Sequence, residues 1–364
     1  MQFIPESPHD PVLAEDLMAV CDASLPWESL KNSHILVTGA TGLVGSMLVK
    51  ALLTANRVRG LGLTVYALIR NPQKAAKLYG DLAERQELVF VTGDLCDPDL
   101  KIAASLDYIF HGAAITTSKI MVTRPVETLK TALQGTETML ELAKEKQVKS
   151  MVYISSMEAF GRPDPTLAAV REEDLGYVDL TNVRSCYPEG KRVCELMCAC
   201  YASEYGVPVR SARLAQTFGA GVDISEGRVF AQFTKSAMAG EDIVLHTAGR
   251  SMGNYCYTAD VITGLLTILL KGENGGTYTV ANPRTATRIC DMAQMVADKI
   301  GGGKSRVVFD IPEDAMKYGY APDVVMHLNS DKLQALGWQP RTDLPQMYER
   351  LAASFAAQAE EKDA

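Results

Sequence analysis

The sequence predicts an α/β protein with a Rossmann-type doubly wound parallel sheet and a smaller mixed α/β domain. From residue 34 to about 213, short apolar runs alternate with longer segments of helical periodicity. That alternation is typical of βαβ units whose parallel sheet is covered on both faces, and crossovers of one hand make the sheet doubly wound. A glycine-rich turn follows the first apolar run, and the regular alternation ends after about residue 217.

The elements are predicted in chain order from these patterns. Strands are expected at 35–37, 63–69, 88–91, 108–110, 151–154 and 209–213, and helices at 42–55, 72–85, 126–147 and 188–205. After them, a short isolated strand at 275–280 and helices at 291–300 and 344–358 are assigned to the second domain. The predicted organisation is an N-terminal extension (1–31) packed on the outside, a domain with the doubly wound sheet (32–217) and a smaller mixed domain (218–364). Some segments of the last are expected to return to the first domain.

Composition excludes several classes of protein. The chain has 364 residues, 47% hydrophobic and 22% charged, as globular proteins do. A net charge of −8 without a basic run argues against nucleic-acid binding. The N-terminus lacks a signal-peptide pattern, and the apolar run 261–270 is about half a membrane span and indicates a buried helix. We therefore expect a cytoplasmic protein without membrane contact. Eight cysteines among 364 residues are too few for a disulfide scaffold, so we expect reduced thiols. No metal site is expected at Cys194, Cys198 and Cys200.

The turn after the first strand has the spacing G-x-x-G-x-x-G. Gly39 permits a tight turn, Gly42 lets a pyrophosphate approach the backbone, and Gly45 lets the helix pack closely on the strand. Free N–H groups at the start of the next helix bind phosphates. The pattern predicts a dinucleotide site that includes Thr41 and Leu43.

The ends of the next strands extend this site. Arg70 stands where an acidic residue would bind the ribose of NAD, and its pairing with a 2′-phosphate favours NADP, although NAD remains possible. Asp94 and Leu95 follow the third strand, and Ala113 and Ala114 follow the fourth, where ligands bind in such sheets.

A candidate catalytic group lies after the fifth strand. Tyr187 and Lys191 are four residues apart and share a helix face. The nearby ammonium lowers the pKa of the phenol from its usual value of about 10. Ser156 can donate to the same substrate oxygen. Together they predict removal of a hydroxyl proton while hydride leaves the same carbon for nicotinamide.

Six motifs follow one another along the chain: TGATGLVG, GDL, HGAA, ISSMEAFG, YPEGK and RLAQTFG. With these motifs in this order, the sequence resembles the extended short-chain dehydrogenase/reductase family, in its nucleotide-sugar epimerase/dehydratase branch. The resemblance covers about residues 33–350. It implies that Ser156, Tyr187 and Lys191 are catalytic, that the smaller domain binds a nucleoside-diphosphate sugar, that the reaction opens by oxidation at the sugar C4, and that the protein is a homodimer.

The resemblance also assigns substrate residues. The Ser156-x-Glu158 spacing resembles the Thr-x-Glu of GDP-mannose 4,6-dehydratases and UDP-glucuronate decarboxylases, which implies a catalytic carboxylate at Glu158 beside the 4-keto intermediate. Gln216 and Arg228 are placed at the diphosphate. One departure is Gly253, which stands where the family carries an arginine. Arg250, three residues earlier, is the candidate substitute.

Several functions remain open. Dehydration, decarboxylation and epimerisation share the oxidation at C4, and Glu158 favours the first two. A plain NADPH-dependent carbonyl reductase is the second hypothesis, since Arg70 resembles the arginine of dihydroflavonol-reductase-like enzymes. The third hypothesis is a dinucleotide-binding relative without catalytic activity, which the presence of Ser156, Tyr187 and Lys191 disfavours.

Overall fold

A computed structural model describes residues 4–97, 100–102, 104–311 and 323–363. The main sheet is formed by the strands β1 (His34–Thr38), β2 (Thr64–Ile69), β3 (Leu88–Thr92), β4 (Tyr108–His111), β5 (Ser150–Ser156), β6 (Val209–Leu214) and β11 (Thr277–Val280). These seven strands are parallel and lie in the order β11-β6-β5-β4-β1-β2-β3. The predicted doubly wound sheet is therefore confirmed, and all its strands end at the same edge.

Helices cover both faces of this sheet. They are α1 (Pro11–Cys21), α2 (Leu43–Arg59), α3 (Pro72–Tyr79), α4 (Ser118–Thr123), α5 (Pro125–Lys146), α6 (Cys186–Tyr205) and α8 (Thr258–Lys271). Helices α5 and α6 pack together on one face, and α1, α2 and α8 pack together on the other. The predicted helix 72–85 is wrong in its second half: Gly80, with φ +50°, ends α3, and residues 80–84 form a 3-10 turn.

One strand lies elsewhere than predicted. Thr277–Val280 is not an isolated strand of the second domain, because it pairs in parallel with Ser211–Leu214 at the edge of the main sheet. The apolar pattern predicts the strand, but only the partner strand decides to which sheet it belongs.

The remaining elements form a smaller unit beside the sheet. It contains α7 (Val229–Ala239), α9 (Ile289–Lys299), α11 (Leu344–Asp363), β7 (Gln216–Phe218), β8 (Ile243–Leu245), β9 (Met252–Gly253), β10 (Tyr255–Tyr257), β12 (Thr287–Arg288) and β13 (Val307–Phe309). The short helix α10 (Asp331–Gln334) instead packs on α8 and β11 at the edge of the main sheet. The strands form three pairs, β7 with β10, β8 with β13 and β9 with β12. Phe218 stacks on Phe230 at 4.6 Å between ring centroids, inside a second apolar core.

The N-terminal extension is fixed to the rest of the fold by buried polar contacts. Its Glu6 is fully buried and accepts from Arg57 and Arg85 at 2.6–3.1 Å. Asp16 on α1 accepts from Tyr257 and Arg350. No described helix is long and apolar enough to cross a membrane.

Candidate active site

The glycine turn between β1 and α2 has the geometry of a phosphate-binding loop. A Cβ on Gly45 would lie 2.2 Å from the Gly39 carbonyl oxygen, and one on Gly39 would lie 2.8 Å from the Gly112 backbone. Gly42 is exposed and no side chain caps α2 there. The first turn of a helix has N–H groups without intrahelical partners, so the N–H groups that begin at Leu43 are available to an anion.

Side chains behind the turn hold it in place. The Tyr79 hydroxyl donates to the Ala40 carbonyl at 2.6 Å. Thr38 Oγ1 accepts from the backbone N–H groups of Gly112 and Ala113, each at 3.2 Å, and lies 2.8 Å from His111 Nδ1. Burial lowers the pKa of His111 to about 3, so this imidazole stays neutral. The loop after β4 is thereby fixed against the glycine turn, and the residues present fit a dinucleotide.

The structure brings the predicted cofactor residues to one edge of the sheet. Arg70, directly after β2, lies 3.8 Å from the carboxylate of Asp94, and both side chains are at least half exposed. Leu95 is buried in the core beneath them. Thr41, Ala113 and Ala114 are partly exposed in the turns after β1 and β4.

Ser156 and Tyr187 meet at the end of β5. Ser156 is the last residue of that strand and caps the 3-10 turn Met157–Phe160 through the Glu158 N–H. Tyr187 lies in the first turn of α6. Burial and, to a smaller extent, the nearby Glu158 raise the pKa of Tyr187 to about 12, although a hydrogen bond with Ser156 acts in the opposite direction. The lowered pKa that the sequence predicts for this phenol is therefore wrong, because burial outweighs the nearby positive charges. The phenol and the serine hydroxyl are therefore close enough to act on one atom.

Lys191 is fully enclosed beneath Tyr187. Its Nζ donates to the Ile154 carbonyl at 2.8 Å and lies 4.8 Å from the ring centroid of Tyr153 and 5.8 Å from that of Tyr187. Burial lowers its pKa to about 8, while Cys194 and Glu195 act in the opposite direction. At pH 7 the amine is still mostly protonated, so it places a positive charge under the phenol.

Two charged networks near Tyr187 are absent from the sequence-based prediction. Arg184 donates to both oxygens of Glu158, at 2.6 and 2.9 Å. Arg213 on β6 donates to Glu195 at 2.7–3.0 Å, and Ser155 donates to the same carboxylate at 2.5 Å. Glu195 could have been found from the sequence, because it lies four residues after Lys191 and so shares the helix face of Tyr187 and Lys191. No such spacing in the sequence indicates that Arg184 pairs with Glu158.

The predicted substrate-binding residues lie on separate elements and do not form one group as Ser156, Tyr187 and Lys191 do. Arg228 pairs with Glu226 at 2.8 Å and is half exposed, and its charge lowers the pKa of Tyr187. Gln216 and Arg250 are exposed, on β7 and just before β9. Gly253 lies beside the site, since a Cβ there would be 3.7 Å from Met157 Cε. Among the described residues, no cluster of three potential metal ligands occurs.

This combination of a parallel doubly wound sheet, a phosphate-binding turn and a serine–tyrosine–lysine group defines a dinucleotide-dependent class of enzyme. The sequence model of the NAD dependent epimerase/dehydratase family matches residues 35–282. The chain belongs to that family, as its sequence motifs predict.

Relatives agree with this assignment, and solved structures share the fold. The chain is 31% identical to UDP-glucuronic acid decarboxylase 6 of Arabidopsis thaliana over 86% of each chain. It is 30% identical to UDP-glucuronic acid decarboxylase 1 of Danio rerio, over 90% of this chain and 74% of the relative. UDP-glucose 4-epimerase of Thermotoga maritima shares the fold, with a TM-score of 0.75, 22% identity and coverage of 90% and 99%. So does a dTDP-glucose 4,6-dehydratase of Streptomyces venezuelae solved with NAD, with a TM-score of 0.72, 22% identity and coverage of 91% and 98%.

Proposed function

We propose that this enzyme oxidises a nucleoside-diphosphate sugar at C4, with Tyr187 as the base. The observation that carries the proposal is the group at the end of β5, where Tyr187 meets Ser156 and Lys191 lies beneath the phenol. A bound nicotinamide supplies the hydride acceptor for such an oxidation. The relatives act on nucleotide sugars according to their names, which supports this substrate class.

Each residue of the site has a separate task in this oxidation. Tyr187 removes the proton of the sugar hydroxyl, and Ser156 donates a hydrogen bond to the same oxygen. Lys191 favours the phenolate, since its ammonium lies 5.8 Å from the ring centroid of Tyr187 and donates to the Ile154 carbonyl. The uncapped first turn of α2 would hold the cofactor phosphates.

Glu158 bears on the step after the oxidation. A carboxylate beside Tyr187 favours a second proton transfer, as dehydration and decarboxylation need, over epimerisation, which needs only rotation of the sugar. Decarboxylation has further support from the names of the 30–31% identical relatives. UDP-glucuronate is therefore the first substrate to test.

The test is incubation with UDP-, GDP-, CDP- and dTDP-sugars, followed by mass spectrometry. Loss of carbon dioxide, loss of water, or an isomer of unchanged mass identifies the second step. If no sugar reacts while the protein binds dinucleotide, the proposed substrate class is wrong.

An NADPH-dependent carbonyl reductase is the second candidate, and the exposed Arg70 is the observation that favours it. Such an enzyme releases its cofactor in every turnover, whereas an enzyme that returns the hydride can retain it. Purified protein with one tightly bound dinucleotide per chain would exclude the reductase.

A further inference from the structure

The proposed base has a carboxylate as its neighbour, which is unfavourable for a phenol that must ionise. Glu158 lies two residues after Ser156, and its charge raises the pKa of Tyr187. Like charges that approach each other in a partly buried site disfavour the second ionisation. The site therefore needs a compensating cation close to Glu158.

Arg184 has the required geometry. It lies in the 3-10 turn Val183–Ser185, directly before α6 and three residues before Tyr187. Its two terminal nitrogens donate to the two oxygens of Glu158, at 2.6 and 2.9 Å. The Asn182 side chain accepts from the Arg184 backbone N–H and fixes the turn. The pair also links the segment after Ser156 to the segment that carries Tyr187.

We propose that Arg184 is a positioning residue: it holds the Glu158 carboxylate in place and offsets its charge, so that Tyr187 can act as a base beside it. This inference rests on the proposed function. A fork-like pair of hydrogen bonds is specific for a guanidinium and a carboxylate. The two charges together leave the phenol near a neutral pair rather than near a lone anion.

The charged and titratable groups around Tyr187 come from several elements. Arg184 and Arg228 lower its pKa, and Glu158 raises it. From within the fold, the phenol also faces two groups beneath it, Lys191 on α6 and Tyr153 on β5. Glu158 is the one carboxylate among these groups, and Arg184 is the cation bonded directly to it.

The test compares Glu158→Gln, Arg184→Met, Arg184→Lys and the double variant Glu158→Gln/Arg184→Met. The protein is labelled with fluorotyrosine, and the resonance of residue 187, assigned with Tyr187→Phe, is titrated by fluorine NMR in the presence of NAD⁺. Lys144→Ala is the matched control, because Lys144 pairs with Glu141 at the end of α5, near the opposite edge of the sheet. All variants change partly or fully exposed side chains, so circular dichroism should show folded protein.

We expect Arg184→Met to move the titration midpoint of residue 187 alkaline by about one pH unit, a tenfold change in phenolate fraction at fixed pH. Glu158→Gln should move the midpoint to lower pH, and the double variant should return it close to the wild-type value. Arg184→Lys should recover only part of the shift, since it keeps the charge but cannot donate to both oxygens of Glu158 in the same fork. The control should leave the midpoint unchanged.

Two results would overturn the proposal: a midpoint that Arg184→Met does not move, or a double variant whose midpoint stays as alkaline as that of Arg184→Met. Both are read from the phenol itself and need no substrate. The proposed function is judged separately, from product formation by the unlabelled wild-type protein, so failure of one is distinguishable from failure of the other.

Discussion

The buried ion pair behind the site should be essential to stability unless both of its partners are removed. Glu195 and Arg213 have side chains that are 8% and 6% exposed, and three contacts of 2.7–3.0 Å join them. Breaking such a pair leaves one uncompensated buried charge and costs about 3–5 kcal/mol, whereas an apolar replacement of both partners is often neutral. Glu195→Met should therefore destabilise the protein by about that amount.

Urea unfolding followed by circular dichroism measures this effect through the shift in midpoint. The double variant Glu195→Met/Arg213→Met should recover most of the lost stability. In the double variant the Ser155 hydroxyl is left without its acceptor, Glu195. The free energy of unfolding should therefore stay below the wild-type value by about 1–3 kcal/mol. Lys144→Ala is again the control. A single variant that costs less than about 1 kcal/mol, or a double variant no more stable than the single, would refute the reasoning.

Three further predictions concern other parts of the molecule. Gly45→Ala should prevent tight dinucleotide binding measured by calorimetry, because its Cβ would lie 2.2 Å from the Gly39 oxygen; binding equal to wild type would contradict the loop assignment. Arg70→Ala should weaken NADP binding about tenfold and NAD binding little; equal losses would contradict the 2′-phosphate role. Burial raises the pKa of Asp16 from 3.8 to about 6, so its contribution to stability is complete below pH 3.8 and is lost as the pH rises through 6. In Asp16→Asn the free energy of unfolding should fall less between pH 3.8 and pH 6 than it does in the wild type. An equal fall in both proteins would show that Asp16 is not its source.

The alternation of short apolar runs and helical segments is sufficient to predict the architecture. Strands buried on both faces have uninterrupted apolar sequences, and the glycine turn and the Tyr187–Lys191 spacing are local features of one segment each. Local patterns cannot show which distant segment supplies a partner. The strand Thr277–Val280 is visible in the sequence, yet its place beside β6 depends on residues more than 60 positions earlier.

The same limit applies to the charges of the site. The spacing after Ser156 identifies Glu158 as a candidate, but its pairing with Arg184 spans 26 residues of irregular chain. The sequence around Arg228 assigns it to the diphosphate, whereas in the structure its guanidinium pairs with Glu226, two residues before it. A substrate diphosphate would have to compete with that carboxylate, and this competition depends on loop geometry that no sequence pattern encodes.

The variant Tyr187→Phe tests most directly the central claim that Tyr187 is the base. Tyr187→Phe removes only the hydroxyl, so dinucleotide affinity measured by calorimetry should change less than about threefold, while turnover of the nucleotide sugar should fall by about 10²–10⁴. Turnover close to wild type with intact dinucleotide binding would contradict the assignment of Tyr187 as the base.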